Sequence, residues 1–310
     1  MAGKTSTSPR RSTVVTDRSE LGHPDATSLT RADLSVADSR RGYLLSTEIG
    51  WNQTEADWTY MLANGPGIGL TDPDGKLVAS AIALPYGAFG WVCMVLVAPD
   101  WRRLGLATDL MNGVIELLQA DDIVPGLDAT PAGREVYRRI GFVDVYGLER
   151  FVAEKAVLTA SLPAGTEIRP LTLADMDAVT LFDAPVFAGD RATLLRHLQT
   201  REPARAMGAW KGGSLTGFAL ARDGRTWTQI GPVIAADEDT AKALMAAAAN
   251  AGTGPDALLI DAMEYHTGYV DWLKAGGFEF QRPYIRMLHG TDQPMDRKEM
   301  VFSPAGPELG

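Results

Sequence analysis

Apolar residues recur along this chain with two different periods, and each change of period marks an element. The run Trp91-Val92-Cys93-Met94-Val95-Leu96-Val97 is apolar throughout, as a strand buried on both faces would be. Beyond it, Leu106, Leu110, Val114, Leu117 and Leu118 fall on one face of a 3.6-residue helix spanning 106–120. The link between them, Pro99-Asp100-Trp101-Arg102-Arg103-Leu104-Gly105, is basic and ends on a glycine. The pattern predicts strand, tight turn, helix.

The same reading places the neighbouring elements. Strands are predicted over 67–71 and 76–83, joined at the turn-forming Asp72-Pro73-Asp74-Gly75, and a buried strand over 123–127. Thr130-Pro131 reads as an N-cap followed by proline at the first helical position; that helix carries Tyr137 and ends at Gly141. Thr30-Arg31-Ala32-Asp33 and Thr54-Glu55-Ala56-Asp57 both have the Thr-x-x-Asp form of a helix start, the second with Trp58, Met61 and Leu62 on one side. Residues 1–25 are rich in Ser, Thr, Arg and Gly, lack apolar periodicity and read as a disordered tail.

The plan then repeats. Leu29-Thr30-x-Ala32-Asp33 returns as Leu171-Thr172-x-Ala174-Asp175, Gly75-x-Leu77-x-x-x-Ala81 as Gly213-x-Leu215-x-x-x-Ala219, and Ile140-Gly141-Phe142 as Gly276-Gly277-Phe278. The offsets are 142, 138 and 136 residues (171−29, 213−75 and 276−140). Shared order at a nearly constant offset predicts duplication of a unit of roughly 140 residues. The expected division is a tail over 1–25, a first unit over 26–152, a second over 153–290 and a C-terminal tail over 291–310.

Composition narrows the classes. A chain of 310 residues, 45% of them hydrophobic, fills two domains of ordinary size. A formal net charge of −10 argues against general nucleic-acid binding, which relies on Lys and Arg against phosphates. No apolar run reaches the ~18 residues of a membrane span, and no apolar signal segment is visible, so a cytoplasmic protein with no nucleic-acid or membrane partner is expected. The single cysteine, Cys93, excludes an internal disulfide framework and reads as a packing residue of its strand. His23, His197, His266 and His289 lack ligand spacing, and Asp72 and Asp74 lack the rest of a calcium loop, so no metal is expected.

The chemistry concentrates at the turn after residue 97. Gly105 leaves the backbone approachable, the first N–H groups of the helix have no helical acceptor, and the helix dipole and two arginines add positive potential. Together these make a place for a phosphate or pyrophosphate. Val97, Pro99, Trp101, Arg102, Gly105 and Ala107 fill a spacing that resembles the acyl-CoA signature of the GNAT superfamily of N-acetyltransferases. Tyr137-Arg138-Arg139-Ile140-Gly141-Phe142 resembles that superfamily's Tyr-x-x-Leu/Ile-Gly-Phe segment. The resemblance implies an α/β (α+β) protein of two tandem GNAT-like domains, each a mixed central sheet flanked by helices. It also implies acetyl-CoA as co-substrate and no metal.

By the same resemblance, the pyrophosphate falls to Arg102, Arg103, Leu104, Gly105, Leu106, Ala107 and Thr108. Main-chain groups of Val95, Leu96 and Val97 take the pantetheine arm, and Tyr137 stands near the leaving thiolate as acid. Trp51, Asn52 and Gln53 lie in the loop that in relatives overlies the acceptor, although core packing for Trp51 and ordinary loop polarity for Asn52 and Gln53 are the simpler accounts. The acceptor implied is a primary amine of a small molecule or peptide; oligomeric state has no signal.

The second half departs from this pattern. At the matching turn stands Glu238-Asp239-Thr240-Ala241-Lys242-Ala243, with carboxylates in place of arginines, and Leu273 stands at the place of Tyr137. Carboxylates repel a pyrophosphate and themselves favour a helix N-terminus. The arrangement resembles tandem GNAT proteins with a degenerate second domain, as do Phe187-x-Gly189-Asp190-Arg191 and Gly231-Pro232. Glu264, Tyr265, His266 and Tyr269 read either as a pocket wall or as structural residues. The signature strand carries no glutamate to act as general base, leaving Glu48, Asp57 or a water chain open. The expected function is an N-acetyltransferase; the alternative is a non-catalytic acyl-CoA sensor or interaction module.

Overall fold

The computed structural model describes residues 24–252 and 257–310. The tail expected over 1–25 lies outside the described residues except for its last two positions. The first half contains, in order, β1 (Thr30–Leu34), α1 (Ser39–Glu48), α2 (Glu55–Asn64), β2 (Gly67–Thr71), β3 (Leu77–Pro85), β4 (Phe89–Val97), α3 (Leu106–Gln119), β5 (Val124–Ala129), α4 (Pro131–Arg138) and β6 (Phe142–Ala153). The second half repeats this order: β7 (Thr166–Pro170), α5 (Met176–Phe187), α6 (Ala192–Arg201), β8 (Met207–Lys211), β9 (Ser214–Arg222), β10 (Thr228–Ala235), α7 (Glu238–Asn250), β11 (Leu258–Met263), α8 (Thr267–Ala275) and β12 (Glu279–His289). A last strand, β13 (Val301–Ser303), has no counterpart in the first half.

All the strands form one mixed sheet, ordered β1-β2-β3-β4-β5-β12-β6-β11-β10-β9-β8-β7, with β13 on β10. Neighbours run antiparallel except β4 with β5 and β10 with β11. The final strands are exchanged. β12 of the second half lies against β5 of the first, Met287 opposite Leu127, and β6 of the first lies against β11 of the second, Phe151 opposite Ile260. The helices cover the sheet with apolar faces: Trp58 and Met61 of α2, and Leu110, Met111 and Val114 of α3, are buried in the core.

Most predicted elements lie where the pattern put them, with three corrections. Thr30 does not cap a helix. Residues 30–34 are strand β1, paired with β2, and the cap lies five residues on, where Asp38 accepts from the Ser35 N–H at 3.0 Å. A Thr-x-x-Asp sequence without a periodic apolar face behind it yields to a sheet edge that offers a full ladder. The shift also repairs the repeat: Leu34-Ser35-x-Ala37-Asp38 is the true partner of Leu171-Thr172-x-Ala174-Asp175, at an offset of 137 (172−35). Leu117 is 42% exposed, while Met111 and Ile115 complete the buried face of α3. Finally, residues 291–310 do not trail as a tail. β13 pairs with β10, and Phe302, Ala305, Glu308 and Leu309 are buried.

Candidate active site

Two features of β4 shape the first half's site. The strand pairs with β5 only from Phe89 to Trp91, after which the two diverge. It also carries one extra residue against β3 between Cys93 and Leu96, where Met94 takes a φ of +49° and its carbonyl accepts from Ser80 Oγ. Such a bulge interrupts the ladder and re-aims the strand. The gap holds a cavity of about 120 Å³. Its walls come from Val92 to Val95 of β4, Leu127 and Asp128 of β5, Thr130 and Tyr137 at α4, and the α1–α2 loop with Trp51, Asn52 and Gln53. The second half contributes the rest: Arg282 and Tyr284 from β12 and Pro307 and Glu308 from the last segment, beside Arg150 of the exchanged strand β6.

At the far end of β4 the chain turns into α3. Arg103 has a φ of +64° and Gly105 of +83°, and a Cβ placed on Gly105 would meet no protein atom within 4 Å. The first helical bond runs from the Asp109 N–H to the Gly105 carbonyl at 3.1 Å, and no side chain caps the start. The N–H groups ahead of it are therefore unsatisfied within the helix, as an anion site requires. Asp109, an acid in the first turn, is neutralised by Arg31 at 2.6 Å. Arg102 and Arg103 are exposed; Arg102 Nε donates to the Val97 carbonyl at 3.2 Å.

The matching places in the second half are filled. Asp237 caps α7, accepting from the Thr240 N–H at 2.8 Å, and Glu238 follows, paired with Lys242. Past Ile230, where β10 parts from β11, β13 occupies the gap; Ser303 pairs with Val233 and donates through its hydroxyl to the Asp261 carbonyl. Leu273, at the place of Tyr137, is buried core. Glu264 accepts from the Gly147 N–H, Tyr265 donates to the Lys298 carbonyl, and His266 stacks on Phe302 with ring centres 3.9 Å apart. Glu264 thus ties its loop to β6, Tyr265 and His266 hold the last segment in place, and none of the three lines the cavity.

The structure thus brings Trp51, Asn52, Gln53, Val95 and Tyr137 around one cavity. Leu96 and Val97 lead from it to the turn at 102–108, which lies outside it. Asn52 is committed to the scaffold: its Oδ1 accepts from the Thr226 and Trp227 N–H groups, and its Nδ2 donates to the Trp227 carbonyl. Gln53 is only 4% exposed, and its Oε1 has no hydrogen-bond partner among the described residues. Burial pushes the Tyr137 hydroxyl up to about 12. Cys93 lies against Met61, and burial pushes its thiol well up, as befits a packing residue.

Sequence reasoning missed the cavity's charged groups. Asp128 is gripped by Arg286 through both oxygens, at 2.9 and 3.0 Å, and Asp261 holds Arg150 at 2.7 and 2.8 Å. Burial outweighs Arg286 and raises the Asp128 carboxyl, whereas at Asp57 burial is outweighed by Arg222 and Arg201, which lower it. Glu308 accepts from Arg222 through Oε1 and has no hydrogen-bond partner at Oε2 among the described residues. No local pattern in the last twenty residues points to this carboxylate; only the fold carries it there. Among the described residues no group of three His, Cys, Asp or Glu side chains is arranged to hold a metal ion, and no helix is long and apolar enough to cross a membrane.

Residues 36–142 match the description Acetyltransferase (GNAT) family, and residues 179–303 match Acetyltransferase (GNAT) domain. The chain is similar to YitH of Bacillus subtilis (strain 168), an uncharacterised N-acetyltransferase: 25% identity over 240 residues, 76% of this chain and 82% of YitH. It is also similar to the holothin acyltransferase of Pseudoalteromonas sp. (strain SANK 73390), at 26% identity over 234 residues, 75% of this chain and 78% of that protein. Among solved structures, a Pyrococcus horikoshii protein assigned as an acetyltransferase superposes with a TM-score of 0.74 at 16% identity, covering 93% of this chain and 98% of its own. A tandem GNAT protein from the clavulanic acid biosynthesis pathway gives 0.61 at 15% identity, covering 86% and 100%. At these identities the structural likenesses speak for the fold.

Proposed function

The chain belongs to the GNAT acetyltransferases, as two GNAT units in tandem, and from that premise we propose an N-acetyltransferase in which the first unit alone binds acetyl-CoA and passes its acetyl group to a primary amine of a small molecule or peptide. The observation that carries the reading is the contrast between the halves. In the first, the start of α3 is uncapped and the gap beside β4 is open; in the second, Asp237 caps α7 and β13 fills the gap.

The residues of the first unit fit the co-substrate. The N–H groups of residues 103–108 offer charge-assisted hydrogen bonds to a pyrophosphate, each contributing roughly 1.5–3 kcal/mol net. Three of them supply much of the ~8 kcal/mol that micromolar affinity requires. Arg102 and Arg103 add potential, and the backbone of Val95 to Val97 offers an edge for an extended amide-bearing arm. When bound, acetyl-CoA supplies the activated acetyl carbonyl. A main-chain N–H at the β4 bulge is the group assigned to the developing oxyanion.

Protons then have to move. An amine of the lysine type, with a reference pKa of ~10.4, arrives protonated at neutral pH. Of the two protons its nitrogen loses, one ends on the CoA sulfur and one leaves to solvent. β4 offers no carboxylate, and Asp128 has both oxygens on Arg286, so Glu308 Oε2 is the acceptor this reading assigns. Tyr137, protonated because burial disfavours its phenolate, is the hydrogen-bond donor assigned to the leaving sulfur. The alternative of a non-catalytic sensor rested on the carboxylate missing from β4 and on the degenerate second half; in this reading Glu308, contributed by that second half, answers both.

Calorimetric titration with acetyl-CoA tests the reading. One site per chain is expected, and Gly105→Glu, which places a side chain and a negative charge against the N–H groups, is expected to weaken it at least about 100-fold. Two sites, or unchanged affinity in a variant of unaltered melting temperature, would overturn it.

A further inference from the structure

Arg150 and Arg282 line the cavity, and Arg286 and Arg222 hold its carboxylates Asp128 and Glu308; of these four cations three are neutralised. Arg150 is held by Asp261, Arg286 by Asp128, and Arg222 by Asp57 and Glu308. Arg282 is the exception. It lines the cavity from β12, stacks over the Tyr284 ring at 5.4 Å, and has no carboxylate partner among the described residues; its Nε is buried without a hydrogen bond. The opposite polarity is also unspent. Among the described residues Gln53 Oε1 is a buried acceptor without a donor, and Glu308 Oε2 is a carboxylate oxygen without one. Buried polar atoms are normally paired, so orphans of both signs around one cavity describe the ligand that satisfies them.

We propose that the acceptor is a small zwitterion of the amino-acid type, a primary amine that also carries a carboxylate. Its ammonium lies between Gln53 Oε1 and Glu308 Oε2, and its carboxylate lies on the Arg282 guanidinium. The inference rests on the acetyltransferase reading and specifies its substrate class.

Charge and size both favour this class. A zwitterion adds no net charge, yet pairs one exposed end of each sign. A polyamine would bring a second cation toward Arg282, and an apolar amine would leave the guanidinium and its buried Nε unsatisfied, which is costly in a partly desolvated site. The planar guanidinium matches a carboxylate bidentately, a fit no neutral group reproduces. A volume of about 120 Å³ corresponds to roughly four water molecules, room for an ammonium and a carboxylate a few bonds apart. The assignment also gives the second unit its work. Having closed its own gap with β13, it supplies Arg282 and Glu308 to the acceptor side of the first unit's cavity.

The test compares matched amines on the purified full-length chain by release of the CoA thiol. The pairs are glycine with methylamine, β-alanine with ethylamine, lysine with 1,5-diaminopentane, and phenylalanine with 2-phenylethylamine, at saturating acetyl-CoA. The expected result is that in at least one pair the carboxylate-bearing member has a kcat/KM about 10- to 100-fold higher, the range a charge-assisted pair supplies. Arg282→Gln is expected to erase that preference, chiefly through KM, with acetyl-CoA affinity retained by calorimetry. Equal or better use of the decarboxylated member in every pair, a preference that survives Arg282→Gln, or no amino acid accepted by a chain that binds acetyl-CoA would each overturn the zwitterion. Failure to bind acetyl-CoA would instead bring down the acetyltransferase reading, and this inference with it.

Discussion

At the scale of single residues, Tyr137 carries the sharpest expectation. It sits on α4 between the cavity and Phe142, its hydroxyl has no hydrogen-bond partner among the described residues, and burial pushes it up to about 12. A hydroxyl so raised keeps its proton throughout the range in which an amine can be assayed, so as a donor to the leaving sulfur it has no ionisation to lose below pH ~10. Tyr137→Phe is therefore expected to lower kcat about 10- to 100-fold, or roughly 1.4–2.7 kcal/mol of transition-state stabilisation, with acetyl-CoA affinity nearly unchanged. The ratio of wild-type to variant kcat is expected to stay flat from pH 7 to pH 10. A ratio falling toward one near pH 8 would mean that Tyr137 ionises in the working range, and equal rates throughout would remove it as donor. The same raised value bears on stability: below pH ~10 the hydroxyl is protonated folded or unfolded and contributes no slope, and between ~10 and about 12 the unfolded chain loses its proton first, so stability falls as pH rises.

At the scale of elements, the two helices that follow the central strands show how one ancestor plan acquired opposite chemistries. α3 starts on a glycine with a φ of +83° and no side-chain cap; α7 starts on Asp237, whose carboxylate takes the Thr240 N–H and puts a negative charge where a phosphate would sit. Asp237→Ala is expected to cost about 0.5–2 kcal/mol, read as a lowered melting temperature, because a cap is lost. It is not expected to create a second acetyl-CoA site, because β13 still fills the gap beside β10; a second site in the titration would show that the cap alone closed that half. The uncapped turn into α3, the place of Tyr137 on the cavity wall and the acidic start of α7 at 237–239 were legible in the sequence because each is local, a few residues that fix their own turn or helix end. Thr30 misled because a cap sequence is only four residues long and takes no account of a neighbouring strand. β13, Arg282 and Glu308 were not legible at all. Arg282 and Glu308 reach the first unit's cavity from more than a hundred positions away, β13 fills the second unit's own gap beside β10, and nothing local to any of them says that a gap awaits.

At the scale of the whole molecule, duplication and strand exchange have made the two units mutually dependent. β12 supplies the strand that β5 needs, β6 the one that β11 needs, and β6 and β12 pair with each other along ten positions. Ion pairs follow the same crossing: Arg286 of β12 holds Asp128 of β5, and Arg201 and Arg222 of the second half both reach Asp57 of the first. Breaking a buried pair of this kind leaves an uncompensated charge, at about 3–5 kcal/mol. Neither half is therefore expected to retain its sheet or its charge balance alone, even though each has a full complement of elements. Chains severed between Glu154 and Lys155, in the exposed link after β6, give the test. Residues 24–154 expressed alone are expected to aggregate, since β5 would present an unpaired apolar edge. Refolding them together with residues 155–310 is expected to recover a complex that melts in one transition and binds acetyl-CoA at a single site. A folded, monomeric 24–154 fragment binding acetyl-CoA with native affinity would show that the exchange is dispensable, and that the second unit serves only the acceptor side.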